Sequence, residues 1–506
     1  MKACFLLQRR FAYVGHKLAI ILKAKYGINE FCGYVHLRSS FDFLKNQKEI
    51  NYTSLLLDED VHNRYQDEQL DLDYLKNIAK EYGLPNLWPY LALDRVLMFN
   101  MLKREYPYNT PSYSHEEIMK IFQVKAKAII NFFEQEKPDF IFLTVIGSIG
   151  SFLLYQIAKK KGVPIFLCVE TRINDGYILT DNYKNFSWAE QIFNNLAKNN
   201  AKSKKIDEAK YYIKKFREKP TTYLYFLNDG SLDLSRFKEF KWFLPKNFLR
   251  SLIWFFKLTF RYLAKKKWRD FTEEDPATYL IDRLKRKTRT LIGFNRFYDP
   301  VDLKEDYAFY PLHYEPEIAT LLLAPFWTEQ INLIRQIAKS LPLHFKLYVK
   351  EHPAMVRYRP FAYYKELKKI LNVKIINPNV SSFDLIKNSK LVVTLTGTAG
   401  WEGLLFQKPV ITFGDVFYNA LPLVKHCREI EQLPFLVKEQ LENYHHNEEE
   451  LENFIGAIME ESAPVGLLEI WEKGVSPKLE KKRLELLADL IAIKLNLKPQ
   501  VINETP

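Results

Sequence analysis

The sequence predicts an α/β chain of two Rossmann-like domains, with a helical insert between them and a helix at the C-terminus. Three observations predict it. Short apolar runs alternate with helix-length amphipathic stretches near both ends of the chain, the rhythm of a parallel sheet. Several of those runs are continuously apolar, as strands buried on both faces are. The 506 residues, 47% hydrophobic and 15% aromatic, are enough for more than one core. The expected division is 1–178, an N-terminal acceptor-side domain; 179–300, a helical insert; 301–475, a nucleotide-sugar-binding domain; and 476–506, a C-terminal helix and tail.

In the first of these, Lys2–Leu7, Phe31–His36 and Tyr52–Leu57 read as strands. Helix Phe11–Lys25, closed at Tyr26-Gly27, and a helical turn Ser40–Asn46 separate them. Residues 60–110 are charged and aromatic and read as a helical insertion. Ser114–Gln135 is a clearer helix, with Ser114 as cap and Glu116 and Glu117 in the first turn. Strand Asp139–Val145 meets the turn Gly147-Ser148-Ile149-Gly150-Ser151, which opens helix Phe152–Lys161; Gly162 ends it and strand Val163–Val169 follows. That turn is not a GxGxxG: it reads as a tight turn for close helix packing, and only weakly as a phosphate loop. The strand ends offer Ser148, Ser151, Glu170, Arg172 and Asp175 to an inner cleft.

Residues 180–300 read as helices at Trp188–Lys198, Lys204–Glu218, Leu249–Lys267 and Asp275–Arg289, the last capped by Asp275 with Pro276 at its first position. In 248–269, Arg250, Lys257, Arg261 and Lys265 fall near one helical face, opposite aromatic and aliphatic ones. Such a helix packs between domains with a solvated stripe, or lies on an anionic leaflet. From Tyr307 strands return at Ala308–Leu312, Phe345–Val349, Val373–Ile376, Leu391–Leu395 and Val410–Phe413, with helix Trp327–Ser340 among them. The stretch from Val437 to Leu497 is helical and charged.

Net charge is +13, 74 basic against 61 acidic residues, which favours anionic partners without choosing among them. No compact nucleic-acid motif is found. The four cysteines, Cys4, Cys32, Cys168 and Cys427, are scattered and read as buried thiols of a reducing compartment. With no convincing signal peptide and no apolar run long enough to span a bilayer, the expected location is the cytoplasm, at most peripheral to the inner membrane face.

The chemistry gathers between Leu347 and Gly414. Three strands there end in Lys350-Glu351-His352-Pro353, in Ser381-Ser382 and in Thr396-Gly397-Thr398-Ala399-Gly400. Ligands of open α/β sheets sit beyond the carboxyl ends of strands, so one anion-binding pocket is expected. His352 can give a phosphate a hydrogen bond or a positive charge, with its direction set by Pro353; Lys350 shares its side of the strand. The Thr396–Gly400 turn opens a helix, read as Trp401–Gln407, whose N-terminus and threonine hydroxyls suit an anion. Glu402 in its first turn either accepts from ribose hydroxyls or complements the dipole. Ser381 and Ser382 either cap helix Phe383–Lys387 or contact phosphate, one doing each.

VKEHP, SSFDLIKNS, TGTAGWEGLLFQKPVITFG and the preceding YPLHYEPE (310–317) together resemble the capsule polysaccharide biosynthesis family. That family is similar to GT-B transferases using CMP-activated acidic sugars, among them Kdo transferases and HP-motif bacterial sialyltransferases. The resemblance covers roughly 307–420 and is architectural for 1–175. It implies a GT-B arrangement, a metal-independent glycosyltransferase with no cofactor beyond a nucleotide-sugar donor, CMP-linked in preference to UDP-linked, and a glycan or lipid-linked acceptor. It implies nucleotide-phosphate contacts at His352, Ser381, Ser382, Thr396 and Thr398. It also implies a catalytic carboxylate in the N-terminal domain, for which Asp175 is the first candidate and Glu170 the alternate. Two other functions compete: a sugar-nucleotide epimerase working through His313, Glu315 and Glu317, and a non-catalytic component of a polysaccharide synthesis or export complex.

Overall fold

The computed structural model describes residues 1–82, 87–99, 111, 113–221, 245–264, 275–472 and 474–500. The strands in chain order are β1 (Lys2–Leu7), β2 (Glu30–Val35), β3 (Tyr52–Leu57), β4 (Phe140–Leu143), β5 (Ile165–Glu170), β6 (Tyr177–Thr180), β7 (Tyr307–Pro311), β8 (Lys346–Lys350), β9 (Val373–Ile376), β10 (Leu391–Thr394), β11 (Val410–Thr412), β12 (Val424–His426) and β13 (Ser462–Ala463). The chain forms two compact units, one of Met1–Leu91, Tyr113–Tyr212 and Glu452–Pro506, the other of Ala92–Ser112 and Ile213–Leu451.

The first unit holds a sheet of order β13-β6-β5-β4-β1-β2-β3. β3, β2, β1, β4 and β5 run parallel, and β6 turns back antiparallel on β5. Its core joins Phe5, Leu18, Leu22, Phe142 and Phe166 to Val465, Leu484, Leu487 and Ile491. The C-terminal segment thus belongs here, and the divisions at 178, 300 and 475 are not those the contacts draw. The reason is burial: helix Pro477–Lys494 lays its apolar stripe on helix Phe11–Tyr26, with Lys17 on Glu480 and Lys25 on Asp489 at the margin. β6, β12 and β13, each of four residues or fewer, lie outside the strands expected from the sequence, and the Asn174-Asp175-Gly176 turn before β6 is the one signal that announces any of them.

Helix His115–Glu136 carries the expected capping box of Ser114 and Glu117. Helix Ile149–Lys160 carries a second, of Ser148 and Ser151, so both serines of the GSIGS turn are spent on the helix start.

The second unit holds a six-stranded, all-parallel sheet of order β9-β8-β7-β10-β11-β12. In chain order this is 3-2-1-4-5-6, with the reversal between β7 and β10, the place beyond whose carboxyl edge open α/β sheets bind ligands. Both faces are covered: Tyr310, Leu347, Val349, Val393 and Ile411 join one core, while the equally buried Val392 and Val410 face helix Thr398–Leu405. The basic segment is helical over Pro245–Ala264, and residues 265–269 lie outside the described residues. All four cysteines are buried thiols. No described helix is long and apolar enough to cross a membrane.

Candidate functional site

The carboxyl ends of β7, β8, β9 and β10 bring His313, Lys350, Ser382 and the Thr394–Thr398 turn to one edge of the second unit's sheet. The Lys350 ammonium donates to Ser382 Oγ at 2.7 Å. Only 7% of Lys350 is exposed, and burial lowers its pKa to about 8, against the opposing pull of Glu402 and Glu351. Glu402 is pushed up to about 7 by its own burial, with the Thr398 hydroxyl and Lys350 opposing. An ammonium and a carboxyl that both titrate near neutrality thus stand together at the strand ends.

The helix over this turn starts at Thr398, three residues earlier than the pattern predicts. Gly397 is its N-cap, and Glu402 lies in the second turn instead of the first, so it does not complement the dipole. Gly397 and Gly400 are needed for room. A Cβ on Gly400 would stand 2.5 Å from the Tyr418 hydroxyl, and one on Gly397 2.8 Å from Thr394 Oγ1 and 3.1 Å from His313 Nε2. Tyr418 donates to the Gly397 carbonyl at 2.6 Å, and Gly397 N–H donates to Thr394 Oγ1 at 3.1 Å.

Three expected roles change on contact with this geometry. The Thr396 hydroxyl donates to the Ala319 carbonyl at 2.8 Å, so it is spent on the fold rather than offered to an anion. Ser381 is exposed and accepts from Asp384 N–H as the cap of helix Ser382–Asn388, which leaves the site contact to Ser382. His352 is held neutral, not cationic: burial, then Arg359, His313 and Lys350, drive its pKa to about 3. Its Nδ1 accepts from Ala354 N–H at 3.2 Å in the turn that Pro353 opens, so Nε2 carries the proton and is a neutral donor.

Beneath the His352 turn lies a network the sequence reading missed. Arg359 is fully buried and bonds Glu351, the His313 carbonyl at 2.6 Å and Glu315 at 3.0 Å. Tyr364 donates to the other Glu351 oxygen at 2.7 Å. His313 Nε2 lies 3.3 Å from Thr394 Oγ1 and accepts from Thr396 N–H at 3.5 Å, and burial lowers its pKa to about 4. The one signal available was an arginine between aromatic residues just before Pro360.

In the first unit Glu170 is the last residue of β5. Burial raises its pKa to about 7, Arg172 at 3.3 Å opposes this, and Asp175 adds to it. The loop between β5 and β6 is pinned by Thr171 Oγ1, which bonds the Ile173 and Gly176 carbonyls, and holds Arg172 and Asn174 at φ 66° and 50°. Glu170 thus carries a carboxyl whose pKa burial places near neutrality. A further buried cluster, also missed, lies at the ends of β2 and β3. There Asp58 pairs with Lys125 at 2.6 Å, accepts from Tyr34 and stands 3.7 Å from His36. Among the described residues no group of three or more His, Cys, Asp or Glu is placed to hold a metal ion.

Residues 327–430 match the family model described as "Capsule polysaccharide biosynthesis protein", which bears out the resemblance read from the motifs. The protein FixF of Sinorhizobium fredii is 30% identical over 171 residues, 33% of this chain and 39% of that protein. Among solved structures, the beta Kdo 2,7 transferase of Thermosulfurimonas dismutans KpsC is similar at 14% identity and a TM-score of 0.32, covering 66% of this chain and 89% of that one. The UDP-GlcNAc 2-epimerase of Neisseria meningitidis is similar at 13% identity and a TM-score of 0.24, covering 91% of this chain and 98% of that one.

Proposed function

We propose that this chain is a glycosyltransferase of capsular or surface polysaccharide biosynthesis. It would move an acidic sugar of the Kdo class from a CMP-linked donor to a glycan or lipid-linked glycan, on the cytoplasmic side. The observation that carries the reading is the convergence of Lys350, Ser382 and Glu402 with the N-terminus of helix Thr398–Leu405, at the carboxyl edge of a sheet segment matched to the capsule family. In this reading the Lys350 ammonium and the first N–H groups of that helix stabilise charge developing on the departing phosphate. His352 Nε2 adds a neutral hydrogen bond. Glu402 accepts from ribose hydroxyls when ionised. Glu170 takes or gives the proton of the reacting hydroxyl, its pKa held high by burial with Asp175 adding to it.

The epimerase alternative needs free acid and base groups at 313–317. Glu315 is instead tied to buried Arg359, and His313 to the Thr394–Thr396 turn. The experiment is a thermal-shift screen against CMP, CDP, UDP, GDP and ADP. CMP at about 100 times its dissociation constant adds roughly 2.7 kcal/mol, and Lys350→Met loses that gain. Stabilisation by UDP alone would replace the CMP donor with a UDP-sugar. No shift with any nucleotide would leave the non-catalytic component as the better reading.

A further inference from the structure

We propose that helices Pro245–Ala264 and Pro276–Ile292 form a docking surface for an anionic lipid bilayer. The inference does not depend on the transferase reading. A helix on a globular unit turns its apolar stripe inward; the first of these turns it outward. Leu249, Leu252, Ile253, Phe256, Phe260 and Leu263 recur at the spacing of one helical face, and they are 58%, 38%, 48%, 67%, 75% and 63% exposed. The helix is held by another side, where Trp254 packs on the Tyr279 ring at 5.1 Å and takes Arg283 over its face at 5.7 Å. The neighbouring helix repeats the pattern, leaving Leu280, Ile281, Leu284 and Ile292 exposed. Two adjacent helices with outward apolar faces make a patch larger than scattered surface leucines would.

Charge selects the occupant. Pro245–Ala264 contains no Asp or Glu. At one hundred degrees per residue, Lys246, Arg250 and Lys257 fall together along one border of its exposed stripe. The second helix adds Lys285 and Lys287, while Arg283 lies over Trp254, Arg286 pairs with Asp282 and Arg289 bonds the Tyr358 carbonyl on its packed side. An apolar stripe edged by cations matches lipid headgroups of negative charge over an acyl layer. A second copy of the chain would instead bring these like charges against each other across a two-fold axis. Since neither helix is long and apolar enough to span, the mode is in-plane, with the aromatic side chains entering the headgroup boundary. The sequence places the charges opposite the aromatic faces; the structure shows that the apolar face itself is the one left in solvent.

The test is co-sedimentation of the full chain with phosphatidylglycerol-containing vesicles and with phosphatidylcholine vesicles, at low and high salt. Gel filtration without lipid runs alongside. The chain should sediment with the anionic vesicles and be released by salt. Arg250→Glu with Lys257→Glu should lower vesicle affinity at least tenfold, at roughly fivefold per charge removed. Phe256→Ser with Phe260→Ser should lower it similarly while leaving the thermal midpoint unchanged, because both side chains already stand in solvent. Equal sedimentation with neutral vesicles, or retention by both variants, overturns the proposal. So does a dimer in gel filtration that the Phe variant converts to monomer, which would give the stripe to a second copy.

Discussion

In the proposed site Lys350 should give nucleotide binding its response to alkaline pH. Burial lowers its pKa from the ordinary 10.5 to about 8. Affinity for a nucleotide phosphate should therefore be full below that value and fall as pH rises through it. Lys350→Arg, which stays charged, should remove the alkaline fall at some loss of fit, and calorimetric titration of CMP across that range reads both. Linkage runs the other way: between about 8 and 10.5 the unfolded chain holds this proton and the folded one does not, so the lysine's cost to stability is relieved as pH rises through that window. Arg359 acts through the groups around it. Replacing it with Leu leaves Glu315 and Glu351 buried without their cation, and should cost about 3–5 kcal/mol by chemical denaturation. Lys350, His352 and Ser382 were legible because a strand end followed by polar residues is visible in one dimension. Arg359 was not, since its partners lie 8 and 44 residues away in the chain.

The element that decides the site is helix Thr398–Leu405. It enters close to the sheet edge because Gly397 and Gly400 leave room for His313, Thr394 and Tyr418. Gly400→Ala should force the helix start away from Tyr418, destabilising the unit by about 1–3 kcal/mol and weakening nucleotide binding. Adding Tyr418→Phe, which removes the nearest atom, should recover part of both, as thermal midpoints and CMP affinity would show. Glycines between threonines announced a close turn, and the pattern placed the helix nearby. It missed the start by three residues because threonine and glycine suit a cap or turn as well as a first helical position, and the pattern therefore leaves Thr398–Gly400 outside the helix. At Ser114 the capping box was legible because its partner is a glutamate; at Ser148 the partner is Ser151, outside the usual S/T-x-x-E pattern.

Across the whole molecule, both units bury histidines as neutral groups. Burial holds His62 near pKa 3 in the first and His313 near 4 in the second, against an ordinary 6.5. The unfolded chain takes up these protons first, so stability is full above pH 6.5 and falls as pH drops toward 4, by about 1.4 kcal/mol per unit for each histidine. Urea midpoints measured across that range should show the slope, and His62→Gln or His313→Gln should each flatten it. The sequence by itself determined the α/β class, the parallel strands, the long helices and the stretch that carries the candidate site, since periodicity, apolar runs and glycine turns are local properties. Only the tertiary structure decided that the C-terminal helix closes the first unit, that β6 and β13 extend its sheet, which serine caps and which meets Lys350, and that His352 is neutral. Those depend on which surfaces bury each other and on how far burial strips water from a charge, and neither quantity is written along the chain.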